Sequence, residues 1–187
     1  MQKKHGPWTI TGSEVKYKNN WMEVVEDKVI RPDGKPGIYG VVKIIDGVAV
    51  LPIDDDGFCY LTEEFHYAVG RETIEVVAGG LDKGEDSLEG AKRELKEELG
   101  IEAGEWTYLG KLDPVTSLVE VPMHLFIAQK LKFTTPQMEG TETLKMVKMK
   151  LTEAIEKVMK NEINVGSSCV LILKAKMLLE SEKSKKF

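Results

Sequence analysis

Three glutamates, Glu94, Glu97 and Glu98, crowd into five residues of the stretch GGLDKGEDSLEGAKRELKEELGI, residues 79–101. Like charges at helical spacing cost about 0.2–0.5 kcal/mol per pair, so the cluster needs a reason. With Asp86 as N-cap and Gly100 as the stop, the pattern predicts a helix running to Leu99. At about 100° per residue, Leu88, Ala91, Leu95 and Leu99 form the core stripe, with Glu89, Lys92 and Lys96 opposite. Glu94, Glu97 and Glu98 share a third face beside that stripe, and Gly90 leaves room there one turn earlier. A solvated acidic face is the plain reading of a charge run. It fits badly here, because the carboxylates converge, sit near a helix C-terminus that disfavours negative charge, and have no lysine four residues on along their own face. Converging carboxylates are what the hard cations Mg²⁺ and Mn²⁺ require. The paired glycines within residues 78–83 let backbone approach the same spot, so the expectation is a metal-binding helix.

The elements that must position this helix are mostly strands. Branched, alternating segments predict strands over 15–17, 22–30 and 38–45, the second ending at the turn RPDGKPG. Asp46-Gly47 reads as a tight turn of a hairpin into a strand over 48–53, and Asp54-Asp55-Asp56-Gly57 as a second hairpin turn into 58–65. Three aspartates in a row invite a calcium reading, but no glutamate stands at the twelfth loop position, so a turn is expected. Further strands are expected over 72–77, 106–112 and 123–131. Helices are expected over 152–160, capped by Thr152, and 167–180, capped by Ser167 or Ser168. Strands first and helices in the middle and at the end suggest a mixed sheet packed between helices.

Composition bounds the function. The 187 residues can bury a real core, and 42% hydrophobic with 30% charged residues is ordinary for a globular chain. A net charge of −5 argues against nonspecific nucleic-acid binding, and it means that an anionic substrate would need bound cations. Cys59 and Cys169 make neither a metal spacing nor a disulfide framework and read as core thiols. No apolar run reaches a membrane span and the start MQKKHGPW lacks a signal-peptide core, so a cytoplasmic protein with no membrane partner is expected.

Gly79, five residues, Glu85, seven residues, Arg93-Glu94-Leu95, one residue, Glu97-Glu98, one residue, then Gly100-Ile101 matches every fixed position of the Nudix box. The chain thus resembles the Nudix hydrolases, which cleave nucleoside diphosphates linked to another moiety. The resemblance implies an α/β/α sandwich with a mixed central sheet, spanning 46–187, behind an N-terminal β-strand region over 1–45 that helps form a homodimer. It implies Glu94 and Glu98 as the main metal ligands, joined by the Ala78 carbonyl and Glu97. Arg93 and Glu85 would orient the carboxylates, so Arg93 and Glu97 also count among the catalytic residues. Mg²⁺, which Mn²⁺ can replace, would offset substrate charge and activate the attacking water.

Residues 63–80, EEFHYAVGRETIEVVAGG, resemble the segment before the box in the ADP-ribose and nucleoside-diphosphate-sugar pyrophosphatases. That subgroup usually has Arg where this chain has His66, and Pro where it has Val77. Pro114 lies where ADP-ribose enzymes carry a marker proline, and residues 151–179 resemble the two closing helices. The implied reaction is hydrolysis of a nucleoside diphosphate sugar, ADP-ribose favoured, to AMP and ribose 5-phosphate. The alternatives are GDP-mannose or a broad range of such sugars and, more remotely, a non-catalytic binding domain, against which the intact glutamates argue. Candidate substrate contacts are Arg71 and His66, with Trp8, Tyr17 and Trp21 as stacking faces for a base or, more plainly, as packing residues. His124 reads as a packed or rim residue. The resemblance to that subgroup implies that the loop TTPQMEGTET supplies the general base, with Glu142 nearest a metal-binding position, Glu139 the better base and Glu120 as rival.

Overall fold

A computed structural model describes residues 2–136 and 144–184. In chain order the described elements are β1 Lys3–His5, β2 Trp8–Lys18, β3 Met22–Ile30, β4 Pro36–Ile44, β5 Gly47–Pro52, β6 Phe58–His66, β7 Arg71–Glu75 and β8 Val77–Gly80. They continue with α1 Ser87–Leu99, β9 Ile101–Leu112, β10 Val119–Glu120, β11 Met123–Phe133, β12 Lys145–Lys150, α2 Leu151–Met159 and α3 Gly166–Ser184. The chain divides into two compact units, Met1–Asp46 with Asp113–Pro122, and Gly47–Leu112 with Met123–Phe187.

The first unit is one sheet in the order β1-β2-β3-β4-β10. The β3–β4 hairpin closes where the sequence places its turn: Arg31 N–H donates to the Lys35 carbonyl and Gly34 N–H to that of Arg31, both at 2.9 Å. The β1–β2 hairpin was not foreseen in the polar start of the chain. Residues 113–122 join this unit because β10 runs parallel to β4, with Glu120 opposite Lys43, and the Tyr39 hydroxyl donates to the Ser117 carbonyl.

The second unit contains a mixed sheet, β8-β5-β11-β9, and a smaller one, β12-β6-β7. In β5, Val48 and Val50 face the core under α1, while Ala49 and Leu51 face the core under α2 and α3, and all four are fully buried. A strand buried on both faces needs strand neighbours on both edges. β5 finds them in β8, antiparallel, and β11, parallel. This corrects the hairpin expected at Asp46-Gly47, since β4 and β5 belong to different sheets. The strand expected over 72–77 likewise divides at Val76 into β7 and β8, one in each sheet of this unit.

The aspartate run is a turn, as expected, but the hairpin expected around it is corrected too: β5 and β6 belong to different sheets, and an isolated bridge joins Ile53 to Cys59. Asp54 Oδ1 accepts the backbone N–H groups of Asp56 and Phe58 at 3.0 and 2.8 Å, and Lys130 holds Asp55 at 3.0 Å. The two later helix caps differ from expectation. α2 starts at Leu151 behind Lys150, which makes no side-chain cap bond, so Thr152 lies inside the helix. Ser167 and Ser168 lie inside α3, and the Ser168 hydroxyl instead accepts the N–H of Val76 at 3.1 Å. Cys59 is buried, which pushes its thiol up to about 12, and burial raises Cys169 as well, so both thiols are inert at neutral pH. Among the described residues no helix is long and apolar enough to cross a membrane.

Candidate active site

The helix α1 forms as its sequence dictates. The Asp86 carboxylate accepts the N–H groups of Leu88 and Glu89 at 2.9 and 3.4 Å. Gly100 stops the helix in the left-handed region at φ 61°, where a side chain would be strained, and returns its N–H to the Lys96 carbonyl at 3.0 Å. Ala91, Leu95 and Leu99 are buried and Leu88 packs beside them. Each fully buried leucine contributes about 1.5–3 kcal/mol, so this stripe fixes the helix's rotation and with it the direction of the glutamate face. On the outer face Lys92 pairs with Glu89 and Lys96 with Glu102, at 2.7 and 2.8 Å.

Arg93 organises the acidic face. Its Nε and Nη2 form a fork on Glu85 at 3.0 and 2.9 Å, Nη2 also donates to the Gly80 carbonyl at 2.9 Å, and Nη1 donates to Glu94 at 2.7 Å and Glu97 at 3.0 Å. The guanidinium thereby ties the loop before the helix to two of the three clustered carboxylates. Glu85, Glu94 and Glu97 raise the guanidinium pKa, with Glu85 the largest contributor, and Arg93 in turn holds the Glu85 carboxyl below its ordinary range. The repulsion apparent in the sequence is thus offset by a cation one residue before Glu94.

Glu94 and Glu98, one turn apart, are each only 8% exposed, which is unusual for charged side chains. The Glu94 carboxylate lies against the backbone of Gly79, where a Cβ would overlap it, so only glycine permits this approach. Leu81 occupies the room left by Gly90. Ala78 lies on β8 opposite Ala49, next to Gly79. Among the described residues no three acidic, histidine or cysteine side chains already converge as a metal cage, since Glu94 and Glu97 are turned onto Arg93. The donor set nevertheless fits a hard divalent cation. Its oxygens are carboxylates in a partly desolvated place, and Glu94 and Glu98 stand on one helical face beside a glycine that keeps side chains out.

The remaining candidates scatter. Arg71 is exposed and donates to Asn164 Oδ1 at 2.8 Å. His66 is held through Nε2 by the Glu75 carboxylate. His124 stacks on Tyr108 and meets its hydroxyl at 3.2 Å, a rim position as expected. In the first unit Tyr17 and Trp21 are 54% and 67% exposed, whereas Trp8 packs edge-on to Tyr39 with ring centroids 5.4 Å apart. Trp8 and Tyr39 wall a cavity of about 450 Å³ whose rim carries Asp27 and Glu120. Glu120 therefore belongs to the first unit, while Glu139 and Glu142 lie outside the described residues. Glu75, not singled out from the sequence, ends β7 beside the buried Thr73 and opposite the buried Thr62 of β6, a pairing that no local sequence signal shows.

Residues 8–42 match the nucleoside diphosphate sugar hydrolase N-terminal domain, and residues 43–164 match the NUDIX domain. The chain is 29% identical over 163 residues to an ADP-ribose pyrophosphatase of Bacillus subtilis, covering 85% of this chain and 88% of the relative. It is 34% identical over 113 residues to the ADP compounds hydrolase NudE of Escherichia coli, 59% of each chain. Its fold is similar to the crystal structure of an ADP compounds hydrolase, with a TM-score of 0.85 at 23% identity over 96% of this chain and 98% of the other. With the NUDIX match spanning most of its length and the glutamate helix inside it, the chain belongs to the Nudix hydrolase family.

Proposed function

We propose that the protein is a Mg²⁺-dependent pyrophosphatase of nucleoside diphosphate sugars, with ADP-ribose the favoured substrate. Water adds to one phosphorus, the bridging P–O bond breaks, and AMP and ribose 5-phosphate leave. The observation that carries this reading is the pair of buried glutamates, Glu94 and Glu98, set one turn apart beside Gly79. The match of residues 8–42 to the N-terminal domain of nucleoside diphosphate sugar hydrolases supports the substrate class.

Glu94, Glu98 and the Ala78 carbonyl would hold the metal, with Glu97 joining them when it turns from Arg93. When bound, the metal polarises the diphosphate and lowers the pKa of the attacking water. Arg93 aims Glu94 and Glu97, and Glu85 keeps Arg93 in place. On the family resemblance Glu139 would serve as base and Glu142 as a further metal ligand, with Glu120 the rival. The first unit would supply a dimer contact, with Trp8, Tyr17 and Trp21 as candidate stacking faces for the base. The ADP compounds hydrolase of Escherichia coli among its relatives favours one variant of this reading, a broader preference among ADP-linked substrates.

Incubating the protein with ADP-ribose, other ADP-sugars and GDP-mannose, with Mg²⁺ or with EDTA, and identifying products by chromatography tests the proposal. AMP and ribose 5-phosphate released from ADP-ribose in the Mg²⁺ arm alone is expected. No release from any sugar, or release unaffected by EDTA, overturns it.

A further inference from the structure

The passage from β7 to β8 takes one residue, Val76, yet it carries the chain from one sheet of the second unit to the other. Four hydrogen bonds converge on this joint. Glu75 Oε1 is met by the Thr73 hydroxyl at 2.8 Å and by His66 Nε2. The Thr62 hydroxyl donates to the Glu75 carbonyl at 3.3 Å, and the Val76 N–H donates to Ser168 Oγ at 3.1 Å. Thr62, Thr73 and Ser168 are at most 5% exposed and the Glu75 side chain is 12% exposed, while the His66 side chain is 39% exposed, so the Glu75 carboxylate is sheltered and His66 closes its open side. A carboxylate so placed is costly unless its acceptor sites are filled. Strand alternation puts Thr62 and His66 on the same face of β6 as Tyr60, which packs in the core under α1.

Downstream of the joint stand the backbone groups on which the acidic helix rests. Gly79 abuts Glu94, and the Gly80 carbonyl accepts from Arg93 at 2.9 Å. The pitch at which β8 leaves Val76 therefore sets how Ala78 and Gly79 face Glu94. We infer that Glu75, held by His66 and Thr73, is a positioning residue for the metal cradle, and that His66 acts through Glu75 rather than on the substrate. This rests on the reading of Glu94 and Glu98 as metal ligands. The imidazole donates from Nε2 to Glu75 in either charge state, so the role needs a donor at that point and no positive charge. Glutamine places an amide N–H at nearly the same reach, and leucine fills the space without a donor.

The test compares wild type, His66→Leu and His66→Gln in two measurements. One is Mn²⁺ affinity by calorimetry without substrate, and the other is amide hydrogen exchange at residues 77–80 without metal. His66→Leu is expected to weaken Mn²⁺ binding ~10-fold, the low end of the scale seen when residues behind metal ligands are changed. It is also expected to speed exchange at 77–80, to leave KM for ADP-ribose at saturating Mn²⁺ within ~2-fold of wild type, and to be rescued in all respects by His66→Gln. Unchanged exchange in His66→Leu overturns the inference whatever the metal does. So does a raised KM that His66→Gln fails to rescue, which makes His66 a direct substrate contact. If wild type binds no Mn²⁺, the metal reading and the inferred role both fall, and faster exchange in His66→Leu then leaves the joint as a fold element only.

Discussion

Replacing Arg93 with methionine keeps most of the side chain's length and apolar stem and removes the cation from among Glu85, Glu94 and Glu97. The side chain of Arg93 is 29% exposed, and those of its partners 16%, 11% and 34%, so the network lies between surface and interior. Exposed ion pairs are worth about 0.2–1 kcal/mol, while stripping one partner from a buried pair costs about 3–5 kcal/mol. Two unit charges about 4 Å apart at an effective dielectric near 20 interact by about 4 kcal/mol. Three carboxylates would lose their common partner, and water can relieve part of that, so a loss of about 2–4 kcal/mol is expected. For a chain of 187 residues this lowers Tm by roughly 5–12 °C in metal-free buffer at neutral pH. Arg93→Lys keeps the charge and loses the fork, so it should lose less. Mg²⁺ should raise the Tm of Arg93→Met more than that of wild type, because a cation among the carboxylates replaces the missing one. The pH dependence has a defined sign. Arg93 depresses the Glu85 pKa, so the stability that Glu85 adds is fully present above its ordinary value of 4.5 and is lost as pH falls through the lower folded value. Wild type and Arg93→Met should therefore differ most at neutral pH and converge in acid. Melts agreeing within ~2 °C at neutral pH, or a gap that persists in acid, refute the electrostatic reasoning.

Gly79→Ala should cost about 1–3 kcal/mol and weaken Mn²⁺ binding, because its Cβ would displace the Glu94 carboxylate, whereas Gly40→Ala, with open space around it, should do neither; thermal melts and calorimetry on the pair decide this. Glu139→Gln or Glu142→Gln should lower kcat at least ~100-fold with little change in Tm. If both keep full activity while Glu120→Gln loses it, the base belongs to residues 113–122. The first unit exposes Ile38 and Trp21 at 68% and 67%, and light scattering at micromolar concentration should give twice the 20.9 kDa chain mass, a monomer ruling out the dimer.

The glutamate helix was legible because each of its signals is local. Asp86, the leucine stripe and Gly100 depend only on positions within one helix, and each appears where its residue type requires. The cation that makes the cluster tolerable was legible as a residue but not as a cause. Arg93 reads as one more charge until the loop bearing Glu85 and Gly80 folds back onto it. Most strand positions were also recoverable, β1 and β10 excepted, but apart from the β3–β4 hairpin their partners were not. Nothing in Asp46-Gly47 distinguishes a hairpin turn from a passage between sheets, because that outcome is set by the two-sided burial of β5 and the distant β11. Residues 113–118 had no signal tying them to β4, since one short parallel ladder and the Tyr39 bond do that work across the sequence. Ser167 and Ser168 show the same limit from the other side. A good capping residue was claimed by a backbone N–H that lies 92 positions away from Ser168.

Turnover of ADP-ribose by Glu98→Gln tests most directly the claim that Glu94 and Glu98 hold the metal on which hydrolysis depends. The substitution keeps size and shape at a position only 8% exposed and removes one ligand charge, so circular dichroism should report an unchanged fold. Losing a few kcal/mol of transition-state stabilisation, at about 1.4 kcal/mol per tenfold, should lower kcat by two to three orders of magnitude or more at saturating Mg²⁺. A folded Glu98→Gln variant that turns over ADP-ribose at close to the wild-type rate would contradict the metal-cradle assignment.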